Sequence, residues 1–403
     1  MTQALWRDAA LVDRFAALDA WLTRHQHWWR PRAFIQSHLP WRDEQPELAA
    51  HLRALSPEQV ARLTGDAAAL AETLQPFMAF AGDGMNLCEI PMSPSLRTGP
   101  SAEPYGVPGR KWRQTVELLQ RLPDSGLPVL EWCSGKAHLG RALAREQGRP
   151  VEALEWNAAL VEEGNRLARR ERLPVCVFQV DVLSDDALAY VRPEQEVVAL
   201  HACGELHLQL LRACAGLRPR ALALAPCCYH LNAQPHYRPL SAIAQSSGLT
   251  LSNDDLRTAV QESVTSPQRV REQRRRLQGW RLGFDALQRE WRGVDEYLPT
   301  PPLPPSVLRE GFAAFCARLA QHAGIAVPGR VDYAAAERLG AARQREVAAL
   351  DLVRLLFRRP LEVWLVLDRA LYLRESGYAV AVSRFCERDL TPRNLLIHAR
   401  RTV

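Results

Sequence analysis

Between residues 127 and 225 short apolar runs alternate with longer amphipathic stretches. Leu127, Val129 and Leu130 form the first run, residues 151–154 the second, 176–180 the third, 197–200 the fourth and 221–225 the fifth. Short apolar runs bounded by turn residues and separated by helical spacers predict the strands of a parallel sheet buried on both faces. A helix over 361–375 then leads to apolar runs at 378–386 and 395–398, joined by a turn containing Pro392. The pattern predicts an α/β, Rossmann-like, doubly wound sheet closed by a hairpin-like pair.

The ends of these runs carry the chemistry. Three end in an acid, Glu131, Glu155 and Asp181; the fourth ends in His201-Ala202-Cys203-Gly204 and the fifth in Pro226-Cys227-Cys228-Tyr229-His230. After Glu131 comes a small-residue turn, Cys133-Ser134-Gly135-Lys136, and then an amphipathic helix with Leu139, Leu143 and Ala144 on one side. Strand, turn and helix in that order let backbone N–H groups approach a ligand at the carboxyl edge of the sheet. Glu155 lies 20 residues past Gly135, where an acid meets ribose hydroxyls.

The flanks read differently. Residues 1–95 are helical in pattern, and Ser56-Pro57-Glu58-Gln59 is a helix start with a cap, an N1 proline and a capping-box glutamine. Trp6, Trp21, Trp28, Trp29 and Trp41 serve either as a core or as stacking platforms for unpaired bases. A Pro/Ser/Gly-rich stretch over 91–108 precedes a basic helix start at 109–114. The expected division is a helical region 1–95, a first sheet segment 96–230, an insertion 231–360 covering the substrate, and a closing segment 361–403. Within the insertion, residues 269–292 hold eight arginines against Glu272, Asp285 and Glu290. Leu277, Trp280, Phe284, Leu287 and Trp291 recur at helical spacing, so the arginines either line a solvated face or contact a polyanion. The contact residues would be Arg269, Arg271, Arg274, Arg275, Arg276 and Arg281.

Composition narrows the class. Nine cysteines, without paired CxxC spacing, argue against a disulfide framework or zinc ribbon, and no structural metal is expected. No apolar run approaches about 18 residues and the first residues carry Asp8 and Asp13, so a cytoplasmic location without membrane contact is expected. The formal charge is +6, carried almost wholly by arginine; Lys111 and Lys136 are the two lysines, and the second sits in the turn. A compact ammonium fits there better than a planar guanidinium.

Residues 131–140, Glu155, Asp181, His201 to Gly204, Pro226 to His230 and Thr391-Pro392-Arg393-Asn394 together resemble the class I S-adenosylmethionine-dependent methyltransferases. The resemblance is to the branch with His-Ala-Cys-Gly and Cys-Cys-Tyr/His motifs, which includes the glutathione S-transferase C-terminal domain-containing protein and, distantly, a tRNA 2'-O-methyltransferase. Cys133 and Ala137 stand where glycine is common. The resemblance implies a seven-stranded sheet of order 3-2-1-4-5-7-6 and S-adenosylmethionine as cofactor. It implies binding through Glu131, Cys133, Ser134, Gly135, Lys136, Leu139, Glu155, Asp181, Val182 and His201. RNA, tRNA or rRNA, is the implied substrate; a protein methyltransferase and a cofactor-binding module without turnover remain alternatives.

In that strand order the fourth and fifth strands are neighbours, which gathers His201, Cys203, Cys227, Tyr229 and His230 as candidate catalytic groups. Three readings stay open. A metal could be held by His201, Cys203, Cys227 and His230, although ligands adjacent in sequence rarely converge tetrahedrally. Cys227 could add to a pyrimidine ring as a nucleophile. Direct transfer, with His230 or Tyr229 orienting or deprotonating the acceptor, leaves the cysteines to pack.

Overall fold

The computed structural model describes residues 5–36, 38–97, 109–261 and 267–402. Residues 98–108 of the expected linker lie outside them. Strands are β1 (Trp6–Arg7), β2 (Val129–Trp132), β3 (Val151–Glu155), β4 (Val175–Gln179), β5 (Glu196–Cys203), β6 (Ala221–Cys227), β7 (Tyr378–Arg384) and β8 (Leu395–Arg401). They form one sheet of order β1-β7-β8-β6-β5-β2-β3-β4. Strands β2 to β6 pair in parallel, and β8 runs antiparallel to both β6 and β7.

The seven strands expected from the sequence take the expected order. An eighth is added: β1 pairs antiparallel with β7 through Trp6 and Val382. Two residues are too short for a periodic signal, so this strand was illegible in the pattern.

Contacts divide the chain into two compact units, one of residues 1–23, 86–261 and 358–403 and one of residues 24–85 and 262–357. Divisions drawn on packing fall after residues 23, 85, 261 and 357. The reason for the sheet unit's extent is a buried polar network. Asp368, in the helix Arg358–Glu375, accepts hydrogen bonds from Tyr237 Oη at 2.6 Å, Ser241 N at 2.8 Å and Ser241 Oγ at 2.8 Å. Next to it, Arg369 donates to His207 Nε2 at 2.8 Å and to Tyr237 Oη at 3.0 Å. Truncating either charge would leave its partners buried and unpaired, so residues 237–241 are held to the sheet's own last helix. At the other end Trp364 Nε1 donates to Asp19 at 2.8 Å, which ties the helix Ala9–Arg24 to the same layer.

In the second unit the helix Pro57–Gly65 starts as expected, with Ser56 and Gln59 capping each other. Asp66 then caps a second helix, Ala67–Leu74, by accepting from Ala68 N and Ala69 N. The helices Gln268–Arg292 and Tyr333–Leu355 pack against a core of Trp280, Phe284, Phe312 and Phe315. All five N-terminal tryptophans are buried, so the base-stacking alternative for them falls and the core reading stands.

Candidate active site

The turn after β2 is built on residues forced into left-handed backbone. Cys133, Gly135 and Ala137 have φ of 57°, 59° and 52°. The two positions where glycine is common therefore keep glycine's conformation while carrying side chains, a strain that clusters at functional sites. Ser134 N donates to Leu154 O at 2.9 Å, and Ala137 N to Ser134 O at 2.9 Å. Ser134 Oγ is buried without a hydrogen-bond partner in the structure.

Acids hold this turn in place. Glu131 is 4% exposed and accepts from Gly140 N at 2.8 Å; a Cβ on Gly140 would stand 2.6 Å from the same carboxylate oxygen. Burial raises the Glu131 pKa to about 8, so it is largely protonated at neutral pH. Glu155 accepts from Gly135 N at 2.9 Å with one oxygen and from Asn157 N at 3.0 Å with the other. Each carboxylate oxygen has a second lone pair, so ribose hydroxyls can still be accepted. Asp181 is exposed just past β4, and its carboxylate accepts from Leu183 N at 3.0 Å. Burial raises the Cys133 pKa to about 12, with Glu155, Cys203 and Asp181 adding to the rise, which marks the ends of β2 to β5 as neighbours.

Leu139 and Val182 are buried, so any ligand contact of theirs is through backbone. Lys136 Nζ lies 3.9 Å from Glu163. Two residues missed in the sequence stand out at this edge: Trp156, directly after Glu155, is 72% exposed, and Leu183, two past Asp181, is 49% exposed. Large apolar side chains left in water beside strand-end acids form a surface for a purine ring. The aromatic immediately following the acid was the available signal. Together the orphaned Ser134 hydroxyl, the acids and this apolar pair fit a nucleoside cofactor bearing a polar tail.

The second half of the site is made where β5 and β6 end. Cys203 pairs in register with Cys227 across a β-bulge at 200–203. Gly204 N donates to Cys227 O at 3.2 Å, Glu205 N to Leu231 O at 2.9 Å, and Leu231 N to Cys228 O at 2.9 Å. His201 and Cys228 both take positive φ, 64° and 44°. The result brings Cys203 Sγ to 3.1 Å from Cys227 Sγ and all three thiol sulfurs, with Cys228, within 4.8 Å of one another. Adjacent residues converge here because the left-handed turn at Cys228 rotates its side chain back beside that of Cys227.

Charge in the trio is uneven. Contacts to Cys203 and Cys228, with burial, push the Cys227 thiol up, whereas Cys228 is pulled down by its contacts to the other two. The three thiols therefore titrate as one coupled group. Tyr229 is 2% exposed, with its hydroxyl 3.4 Å from Pro226 O and its ring under Arg369, so the structure places its side chain in the core. His201 Nε2 lies 3.0 Å from Gln114 Oε1, while Gln114 Nε2 donates to Leu390 O at 3.0 Å. That arrangement leaves the Gln114 oxygen to accept, with the imidazole donating from Nε2. Burial lowers the His201 pKa to about 4, Cys228 opposing and Lys111, Arg110 and Arg393 adding to the drop. The His230 pKa is lowered too, first by burial, and its Nδ1 is buried without a hydrogen-bond partner. Arg393, in the Thr-Pro-Arg-Asn motif, therefore belongs to this site, as does Gln114.

Residues 112–234 match a family model described as a methyltransferase domain. Among solved structures, the chain is similar to a tRNA (uracil-54, C5)-methyltransferase of Pyrococcus abyssi at 18% identity, 27% of each chain covered and TM-score 0.23. A geranyl diphosphate C-methyltransferase of Streptomyces coelicolor A3(2) aligns at 14% identity over 36% of this chain and 62% of its own, TM-score 0.22. A sarcosine dimethylglycine methyltransferase described as putative, from Galdieria sulphuraria, aligns at 12% identity over 80% and 98%, TM-score 0.27. The chain thus spans less than two thirds of the length of the first two. The matched segment holds both the β2 turn and the thiol loops. Residues 112–234 are thus similar to a methyltransferase domain. Among the described residues no helix is long and apolar enough to cross a membrane.

Proposed function

We propose that this chain is an S-adenosylmethionine-dependent methyltransferase acting on a nucleotide of RNA, tRNA or rRNA. The observation that carries the reading is the sign of the field at the acceptor end. Arg110, Lys111 and Arg393 all act on His201, and Arg393, which also lies 3.4 Å from the buried Glu362 carboxylate, acts on Cys228, Tyr229 and His230 as well. Such a site attracts a substrate bearing phosphates and repels a cationic lysine or arginine acceptor.

A second surface supports it. In the helix Gln268–Arg292 the exposed first turns carry Arg269, Arg271, Arg274, Arg275 and Arg276 against Glu272, with no acid in the first turn. That end of the helix macrodipole favours anions, so stacking cations there costs stability that bound phosphates would offset. Arg271 and Arg275 line a cleft of about 840 Å³ together with Arg53 and Arg345, and with Glu272 and Glu346, which pair with Arg275 and Arg53. Arg281 is different: it is half-buried and donates to Thr300 and Pro301 carbonyls, which makes it a brace for the proline-rich connector.

Glu155, Asp181, Trp156, Leu183 and the Ser134 turn would hold the cofactor, which supplies an electrophilic methyl group. The neutral imidazoles of His201 and His230 each keep a lone pair at pH 7 and are the groups to take a proton from the acceptor as it is methylated. Incubation of purified protein with labelled S-adenosylmethionine and total RNA and protein from a strain lacking it tests the reading. Label in RNA is expected, with RNA binding that weakens steeply with salt. Label confined to protein overturns the RNA substrate, and cofactor binding without label anywhere overturns turnover.

A further inference from the structure

We propose that Cys203, Cys227 and Cys228 form a three-thiolate site for a soft divalent cation, zinc by its chemistry, at the junction of β5 and β6. Zinc takes sulfur ligands at about 2.3 Å, which sets about 3.8 Å between sulfurs on a tetrahedral centre. The three sulfurs already lie within 4.8 Å of one another, the closest pair at 3.1 Å, so small side-chain rotations reach that spacing.

The convergence is constructed, not incidental. Three consecutive features hold it: the register pair Cys203–Cys227, the bond from Gly204 N to Cys227 O, and the turn closed by Leu231 N on Cys228 O. The backbone pays for it in left-handed conformations at the non-glycine residues His201 and Cys228. Strain of this kind, about 1–3 kcal/mol per residue, persists where surroundings impose it and function uses it. A structural hydrophobic corner would need neither the strain nor three thiols.

Each cysteine gives its proton to solvent on coordination, and three thiolates with one divalent cation leave a net charge of −1. Arg393, which acts electrostatically on Cys228, is placed to offset it. Three protein ligands leave one position open, the pattern of a site that binds a further group. His230, with its Nδ1 buried and unpartnered, is the nearest such group in sequence. The inference stands independently of the RNA reading, because it concerns the thiols alone.

The full chain, purified without chelator, is assayed for zinc by elemental analysis and for thiols by titration in denaturant. The expected result is one zinc per chain, and cobalt(II) exchanged for it should give a sulfur-to-cobalt charge-transfer band with a tetrahedral visible spectrum. Cys228→Ser should weaken the metal by at least the roughly tenfold that loss of even an outer-shell partner costs. Cys176→Ser, at an exposed cysteine on β4, should leave it unchanged. If Cys228→Ser fails to fold, removal of zinc from the unmodified chain by chelator and its return with cobalt gives the same reading. A chain with all nine thiols titratable that takes up neither zinc nor cobalt overturns the proposal. So does one with two thiols oxidised to a disulfide and no metal.

Discussion

A side-chain Cβ at Gly204 would stand 2.0 Å from the carbonyl oxygen of Leu231. Gly204 has φ 52° and ψ −123°, a conformation reserved for glycine, and the two loops that make the acceptor end touch through it. Gly204→Ala should therefore lose about 3 kcal/mol or more, from backbone strain and overpacking together. Denaturant unfolding checks this; an unchanged midpoint would mean that the loops do not meet as described.

Trp156→Ala separates ligand binding from stability. The side chain is 72% exposed, so folding should not change, while loss of stacking on the cofactor's base should cost about 1–3 kcal/mol of binding, roughly 5- to 150-fold in affinity. Calorimetric titration with S-adenosylmethionine and a thermal melt decide it. Equal affinity would leave the exposed indole without a role in the crevice.

Glu131 predicts a pH dependence of definite sign. Its pKa is raised by burial from the ordinary 4.5 to about 8, so the folded state binds the proton more tightly than the unfolded one. The stability this contributes is fully present below about pH 4.5 and is lost as pH rises through about 8. In Glu131→Gln, permanently neutral and still able to accept from Gly140 N, that loss should vanish. The difference between the two proteins should change by a few kcal/mol across this range. Parallel stability-against-pH curves would refute a protonated Glu131.

Cys133→Gly tests the strained turn. With φ at 57°, cysteine occupies backbone that glycine adopts without penalty, so the substitution should stabilise by about 1 kcal/mol, roughly 2 °C in melting temperature. A lower melting temperature would show that the cysteine's packing outweighs its backbone strain.

The sequence by itself determined the sheet and which residues end its strands. Strands buried on both faces must read as continuous apolar runs, and in a parallel sheet their carboxyl ends must share one edge, so Glu131, Glu155, Asp181, His201 and Cys227 could be gathered before any coordinates. Tertiary structure decided everything that depends on backbone sign and on which side a side chain turns. No periodicity distinguishes Tyr229, which faces the core, from its neighbour Cys228, which faces two other thiols. The difference is a single left-handed φ at Cys228, in a loop that meets Cys203 from a different strand. The same holds for Arg393 and Gln114, brought beside His201 by strand β8 and a helix far from it in sequence. Likewise, Arg281 and Arg276 look alike in a basic helix. One is spent on two carbonyls and the other lies over the Trp280 ring, because burial along that helix rises toward its carboxyl half.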